Sequence, residues 1–343
     1  MLNKRCIALY SGGLDSILAV KMIEEQHIDV IPLHFYSPFF GFDIMRDPQP
    51  YKEYHLKNYG IHVHLVDYSE DIIQIVKNPK FGHGKHLNPC IDCKIGMLKR
   101  CRALLETLGA SFVITGEVLG QRPMSQRKDP MRSIERESAL DGLLLRPLCA
   151  KHLPVTVPEE EGIVDRELLG DILGRGRKIQ IALASRYGIE SDKIPTPAGG
   201  CLLTDEQISL KVAATYKRFH PELPGPADFL LDIVGRQFLL DEATVLIVSR
   251  NEEENKILAS MNYSGNIFLK IADVPGPLCI LRGNISQDNL SQAAAICMRY
   301  GKARGLSGNK ALFGEDPFHL VRSIDSPVVS DEYCRTFQID LHK

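Results

Sequence analysis

The stretch CIALYSGGLDSILAVKMIEE, residues 6–25, decides the fold. Its apolar run ends in Ser-Gly-Gly, and a helical spacing of apolar residues begins at once near Leu14. A short buried strand that turns directly into a helix is the first half of a βαβ unit. Glycines at that turn let the backbone approach a ligand with its N–H groups aimed inward. The start of the helix adds the positive end of its dipole, which suits a pyrophosphate. The spacing is not G-x-G-x-x-G, G-x-x-x-x-G-K-[ST] or G-x-S-x-G, which excludes the dinucleotide, Walker and nucleophile-elbow loops. Ser11 and Ser16 can donate to phosphate oxygens, and Gly12 and Gly13 leave room for them. Asp15 would repel phosphate unless a divalent cation such as Mg2+ stands between the two.

Outward from this loop, strand and helix patterns alternate. Strands are expected at 6–10, 29–37, 62–68 and 111–117, with helices at 14–25, 51–60 and 95–110. The alternation predicts an α/β fold, a parallel Rossmann-like sheet with helices on both faces. Further helices are expected at 165–173 and 176–187, then a Pro/Gly-rich loop at 194–204. The segment FHPELPGPADF, 219–229, carries three prolines and a glycine and reads as a linker. It separates a first domain, 1–218, from a smaller α+β domain, 230–343.

The chain of 343 residues is 44% hydrophobic and 24% charged, with a net charge of −2. That is ordinary globular composition, and it does not by itself mark a nucleic-acid binder. No run of eighteen apolar residues reads as a membrane span. Nine cysteines without a secretory signal point to a reducing, cytoplasmic setting.

SGGLDS, 11–16, resembles the signature of the PP-loop ATP pyrophosphatases. That resemblance implies a PP-loop (adenine nucleotide alpha hydrolase) domain that cleaves ATP between its α and β phosphates. A carbonyl oxygen is adenylated, and a nucleophile then displaces AMP. LHFYSPFF, 33–40, CKIGMLKRCRALLETLGA, 93–110, FVITGEVLGQRPMSQ, 112–126, and LLLRPL, 143–148, resemble the tRNA 4-thiouridine synthetases. By position, the resemblance places Leu9 and Tyr10 before the loop and His34 and Phe35 beside the adenosine. It also places Lys94, Gly116 and Gln126 in contact with ATP. Gln126 stands one residue further from Gly116 than that family's spacing implies. Singly, His34 reads rather as a strand cap, Lys94 as a solvated helix-start lysine and Gly116 as a turn glycine; together on one nucleotide-binding fold they favour the ATP reading.

Cys90-x-x-Cys93 stands at a helix start, and Cys201 stands in a distant loop. A helix N-terminus favours thiolate. Only three loop cysteines are evident, one short of the four ligands of a structural zinc. The arrangement resembles tRNA thiolases in which three cysteines hold a [4Fe–4S] cluster with one open iron. A persulfide on Cys201, resolved by Cys90 or Cys93, uses the same residues and stays open beside the cluster. Either way the sulfur comes from a donor, a cysteine desulfurase or free sulfide. Cys101 reads as packing.

The 4-thiouridine synthetases carry an N-terminal RNA-binding region, and this chain opens on its first strand, so that region is expected to be missing. VSRNEEENKIL, GNIFLKIADVPGPLCILRG and NLSQAAAICMRYGKARG resemble the NFACT-R RNA-binding domain over about 240–305. Arg250, Lys270, Arg282, Arg299, Lys302 and Arg304 are its candidate RNA contacts. Basic runs at 121–132 and 174–178 point to the same partner. A dimerisation domain is the alternative for this half, and a homodimer is admitted. Together the resemblances imply ATP-dependent thiolation of a tRNA uridine. The alternatives are a PP-loop enzyme with a nitrogen nucleophile and a non-catalytic RNA-binding adaptor.

Overall fold

The computed structural model describes residues 3–122, 124–197, 200–302 and 309–339. The chain divides into two units, Met1–Thr204 and Asp205–Lys343.

The first unit is an α/β sandwich. β1 (Arg5–Leu9) leads into α1 (Leu14–Glu24), then β2 (Asp29–Tyr36), α2 (Phe42–Arg46), α3 (Gln49–Tyr59) and β3 (His64–Asp67). The chain then crosses the sheet through α4 (Ser69–Lys77) and α5 (Cys90–Leu104) to β4 (Phe112–Thr115). α6 (Lys128–Glu137), β5 (Leu144–Leu145), α7 (Val157–Glu160) and α8 (Lys178–Arg186) follow. All the strands pair in parallel, in the order β3-β2-β1-β4-β5. β1 is the central strand, and Cys6 to Tyr10 are buried, as a strand covered on both faces requires. α1 buries Leu14, Ile17, Leu18, Val20 and Ile23, so its apolar residues run around most of the helix. Such a helix belongs inside, and it lies between the sheet and α8.

This order sets the place of a ligand. Leu9 pairs with Leu33 on one side and with Thr115 on the other. From β1 the chain winds outward through β2 and β3, then returns to β4 on the opposite side. The crevice beyond the carboxyl ends of β1 and β4 is therefore the topological switch point, where open α/β sheets bind ligands.

The helix expected at 165–173 is a single 3-10 turn, Arg166–Leu168. Its continuation is held extended, because Gly170 N–H donates to the Pro147 carbonyl at 2.8 Å and Ile172 N–H to that of Leu148 at 2.9 Å.

The second unit opens with α9 (Glu206–Phe219) and α10 (Pro226–Ile233), then β6 (Arg236–Leu239) and β7 (Val245–Val248). α11 (Glu252–Ser260), β8 (Asn266–Ile271), β9 (Cys279–Arg282), α12 (Gln287–Tyr300), β10 (Lys310–Gly314), β11 (Arg322–Asp325) and α13 (Asp331–Phe337) complete it. Its six strands pair antiparallel in the order β11-β10-β8-β9-β7-β6. α12 covers one face of the sheet with Leu290, Ala293, Ala294, Ile296 and Cys297.

The boundary falls at Thr204, before the 219–229 segment proposed as a linker. Asp205 caps α9 by accepting from Ile208 N–H at 2.9 Å. Thr215 Oγ1 then donates to Asp232 at 3.0 Å, and the Tyr216 and Phe229 rings meet at 4.9 Å. The Pro/Gly cluster is thus a turn between two paired helices, with Pro226 at the first helical position of α10, where proline is suited.

Candidate active site

The Ser11–Ser16 loop emerges where the fold places a ligand. Tyr10 N–H donates to the Leu33 carbonyl at 2.9 Å, so β1 pairing runs up to the loop itself. Ser16 N–H and Oγ both reach the Gly13 carbonyl, at 3.0 and 2.8 Å. Ser11 Oγ stands 3.4 Å from Gly13 N–H and 3.3 Å from Ser16 Oγ. Two hydroxyls and the first turn of α1 are therefore gathered at one turn, the residue types that suit a phosphate. Asp15 accepts from Gln121 Nε2 at 3.0 Å through Oδ2, while its Oδ1 is buried without a partner. An orphaned carboxylate oxygen beside a phosphate cradle fits a divalent cation.

Gly116 ends β4 against this loop. A methyl there would stand 2.5 Å from both Asp15 C and Ser16 N, so only glycine lets the end of β4 meet the first turn of α1. Next to it Glu117 is 2% exposed and faces three cationic or polar partners. Arg146 Nε lies at 3.3 Å, Lys94 Nζ at 3.7 Å and Thr115 Oγ1 at 3.2 Å. Burial pushes the Glu117 carboxyl up, but Lys94, Arg146 and these hydrogen bonds outweigh it and hold it below the usual range. Lys94 is thereby held beside the loop. Gln126 is buried with Oε1 unpartnered, and its carbonyl accepts from Gly120 N–H at 2.6 Å. The side chain that reaches the loop from this segment is Gln121. Phe35 points into the core and meets Tyr68 edge-on at 5.5 Å.

His34 belongs to a cluster of tilted rings that α3 completes. Its Nδ1 lies 3.1 Å from the Tyr10 carbonyl and 2.9 Å from the Tyr51 hydroxyl. A carbonyl only accepts, so this nitrogen carries the hydrogen. The Tyr51 ring stands between two imidazoles, 4.5 Å from His34 and 4.2 Å from His55. Tyr10 hydroxyl meets His55 Nδ1 at 2.7 Å. Burial pushes both imidazoles down to about 4, and His34 lowers His55 further. A histidine held neutral in the fold but protonated when unfolded stabilises the fold above its unfolded pKa, about 6.5. That stability is lost as pH falls from about 6.5 toward 4, at most about 3 kcal/mol per ring. Denaturant melts at stepped pH are expected to show this decline, and His55→Phe to remove about half of it.

Cys90, Cys93 and Cys201 lie near enough to act on one another electrostatically. α5 runs antiparallel to the strands, so its start, with Cys90 and Cys93, lies at their carboxyl ends. Leu202 N–H donates to the Phe39 carbonyl at 2.8 Å, which docks the Cys201 turn on the loop after β2. Burial pushes the Cys93 thiol well up, and the neighbouring Cys201 and Cys90 add to this against Lys94. Burial likewise takes Cys201 to about 11, with Cys90 contributing. The three sulfurs therefore lie within one another's fields, half-buried and free. At Cys93 burial outweighs the pull of Lys94 and pushes the thiol up, against the thiolate expected from the helix start. Asn88 Nδ2 donates to Cys90 Sγ at 3.2 Å. Among the described residues, no three His, Cys, Asp or Glu side chains are gathered to hold a single metal ion. Cys101 is buried packing, as expected.

Both basic runs of the first unit border this edge. Gly174 N–H donates to the Leu119 carbonyl at 2.8 Å, bringing 174–178 alongside the Gln121 segment. Arg122, Arg127, Lys128, Arg175 and Lys178 are exposed there. In the second unit three of the candidate contacts serve the fold instead. Arg250 pairs with Glu254, Arg282 with Asp228 at 2.6 Å, and Arg299 with Asp331. Arg282 and Arg299 are 19% and 12% exposed. Lys270 and Lys302 remain exposed, and Arg304 lies outside the described residues.

Sequence reasoning missed Tyr51, His55, Gln121 and Glu117. Only Tyr51 and His55 left a signal, an i, i+4 pair on one face of a helix.

Residues 2–152 match the family model described as Thiamine biosynthesis protein (ThiI). Residues 235–313 match the NFACT protein RNA binding domain. A Probable tRNA sulfurtransferase of Thermococcus kodakarensis is 29% identical over 149 residues, 42% of this chain and 36% of the relative. One of Thermoanaerobacter is 28% identical over 123 residues, 35% of this chain and 30% of the relative. The chain thus spans about a third of the length of the curated relatives it matches. Among solved structures, a 4-thiouridine synthetase–RNA complex with bound ATP aligns at 18% identity and TM-score 0.33, covering 55% of this chain and 53% of that one. The U34-tRNA thiolase NcsA of Methanococcus maripaludis, with its [4Fe-4S] cluster, aligns at 15% identity and TM-score 0.29, covering 58% of this chain and 62% of that one.

Proposed function

We propose that this chain, with a ThiI-type segment in its first unit and an NFACT RNA-binding segment in its second, is an ATP-dependent tRNA sulfurtransferase. The observation that supports the reading is that Cys90, Cys93 and Cys201, half-buried and free, act electrostatically on one another, with Lys94, held by Glu117, acting on Cys93 as well. The loop amides and hydroxyls hold the phosphate tail of ATP, and Asp15 Oδ1 would hold the Mg2+ that neutralises it. A uridine carbonyl oxygen attacks the α-phosphorus, the bond to the β-phosphate oxygen breaks and pyrophosphate leaves. Lys94, held by Glu117, offsets the charge that builds there. Sulfide then attacks the activated carbon, the C–O bond breaks and AMP leaves with the oxygen.

Three half-buried sulfurs, the Asn88 amide and the Lys94 cation form a donor set suited to an iron–sulfur cluster. Cys90, Cys93 and Cys201 would hold it, and when bound it supplies an open iron that carries sulfide. The exposed cations beside the site, with Lys270 and Lys302 of the second unit, would grip the tRNA backbone without reading its sequence. Free cysteines throughout suit a cytoplasmic protein, and no helix among the described residues is long and apolar enough to cross a membrane.

The test is anaerobic purification with iron and sulfide quantitation, followed by thionucleoside analysis. Cys201→Ser is expected to lower tRNA thiolation at least about 100-fold while tRNA-stimulated pyrophosphate release stays within about 3-fold. Iron at about four per chain supports the cluster, and an iron-free enzyme that remains active supports a persulfide. Unchanged thiolation after replacing all three cysteines would sink the sulfur chemistry.

A further inference from the structure

Helix α3 brings one more polar group to the loop than any motif announces. His55 is 4% exposed, and its ring stands against the loop glycines. A methyl on Gly12 would collide with the Tyr51 hydroxyl and lie 3.4 Å from His55 Nε2. Gly12 also has φ +74°, so glycine serves both the backbone turn and the close approach.

The tautomer of His55 follows from its partner. Tyr10 is 1% exposed, and its hydroxyl finds His55 Nδ1 at 2.7 Å. Were Nδ1 to carry the hydrogen, the phenolic hydrogen would be buried without an acceptor. Tyr10 therefore donates, Nδ1 accepts, and the single hydrogen of the neutral ring sits on Nε2. That N–H has no hydrogen-bond partner among the described residues. Burial keeps both His55 and His34 neutral, so the group acts as a fixed dipolar donor.

We propose that His55 is a phosphate-binding residue, its Nε2–H donating to the nucleotide tail held at Gly12 and Gly13. Tyr10 and Tyr51 are its positioning residues, the first by setting the tautomer and the second by a tilted ring contact at 4.2 Å. The inference rests on the ATP reading above and adds a donor from a different element. Loop amides bind the tail along the axis of α1, and His55 closes it from the side of α3.

Calorimetric titration of the full chain tests it, using an ATP analogue with a methylene between the α and β phosphates, and adenosine alone. His55→Phe is expected to weaken the analogue about 10- to 100-fold and adenosine less than about 2-fold. His55→Gln, whose amide places an N–H near the Nε2 position, is expected to recover most of the loss. Analogue affinity unchanged in His55→Phe overturns the inference and leaves the enzymatic reading standing. So does a parallel loss of analogue and adenosine in both variants, which marks a structural role. A wild-type chain that binds no analogue overturns both. Should the variants not fold, nitrogen-15 histidine spectra of the wild type decide the matter. The Nε2–H tautomer, with a resonance that moves on adding the analogue, is expected. An Nδ1–H tautomer or an unmoved resonance overturns the proposal.

Discussion

Gly116→Ala is expected to weaken nucleotide binding at least about 100-fold and to lower the melting temperature by about 5 °C or more. The added methyl would stand 2.5 Å from Asp15 C and Ser16 N, both backbone atoms of the phosphate loop. Neither can rotate away as a flexible side-chain end could. Relief requires that β4 retreat from β1 or that the loop shift. β4 is the less movable of the two, since it is buried along its length and paired on both sides. The loop therefore gives, and a displacement near 1 Å spoils the alignment of its amides with the phosphates. Gly13→Ala is the stability control. Its methyl would meet only Ser11 Oγ at 3.5 Å, and its φ of −79° suits any residue. Thermal melts of the two variants, with titration of an ATP analogue for the first, check the contrast. Equal melting temperatures for both would mean that strand end and loop yield to each other freely.

This contact also shows what a single chain of letters discloses. The loop, the parallel sheet and the helix with Cys90 and Cys93 follow from local pattern, because β1 and α1 each declare their burial within a few residues. Gly116 could be placed only by resemblance, since its reason lies in Asp15 and Ser16, about a hundred positions earlier. The same holds for Gln121, whose bond to Asp15 depends on how the segment after β4 folds back. A resemblance-based alignment pointed to Gln126 instead, five positions along the same segment. In the second unit, prolines at 221, 224 and 226 suggested a linker, yet proline is as much at home in a tight turn between helices. What separates the readings is the pairing of α9 with α10, a tertiary fact. Cationic residues misled for a related reason. Arg250, Arg282 and Arg299 look like phosphate ligands until Glu254, Asp228 and Asp331 are seen beside them.

Glu117→Leu carries the second large effect, an expected loss of about 3–5 kcal/mol of stability. The carboxylate is buried among Lys94, Arg146 and Thr115. Removing it leaves Arg146, 4% exposed, with Glu135 as its one remaining carboxylate, at 2.9 Å. Lys94 loses its ion-pair partner as well. The larger part of the loss is the under-compensated Arg146 charge rather than the missing attraction, because its Nε, which had faced Glu117, is left buried far from water. Glu117→Leu with Arg146→Leu is therefore expected to recover most of the stability, although it removes more polar contacts than the single change. Activity separates from stability at this point. The double variant still lacks the anchor of Lys94, so pyrophosphate release is expected to stay at least about 10-fold below wild type. Denaturant melts alongside pyrophosphate release on the single and double variants test both halves. Recovered activity in the double variant would mean that Lys94 finds the α-phosphate without Glu117, which would remove the electrostatic role assigned to this carboxylate.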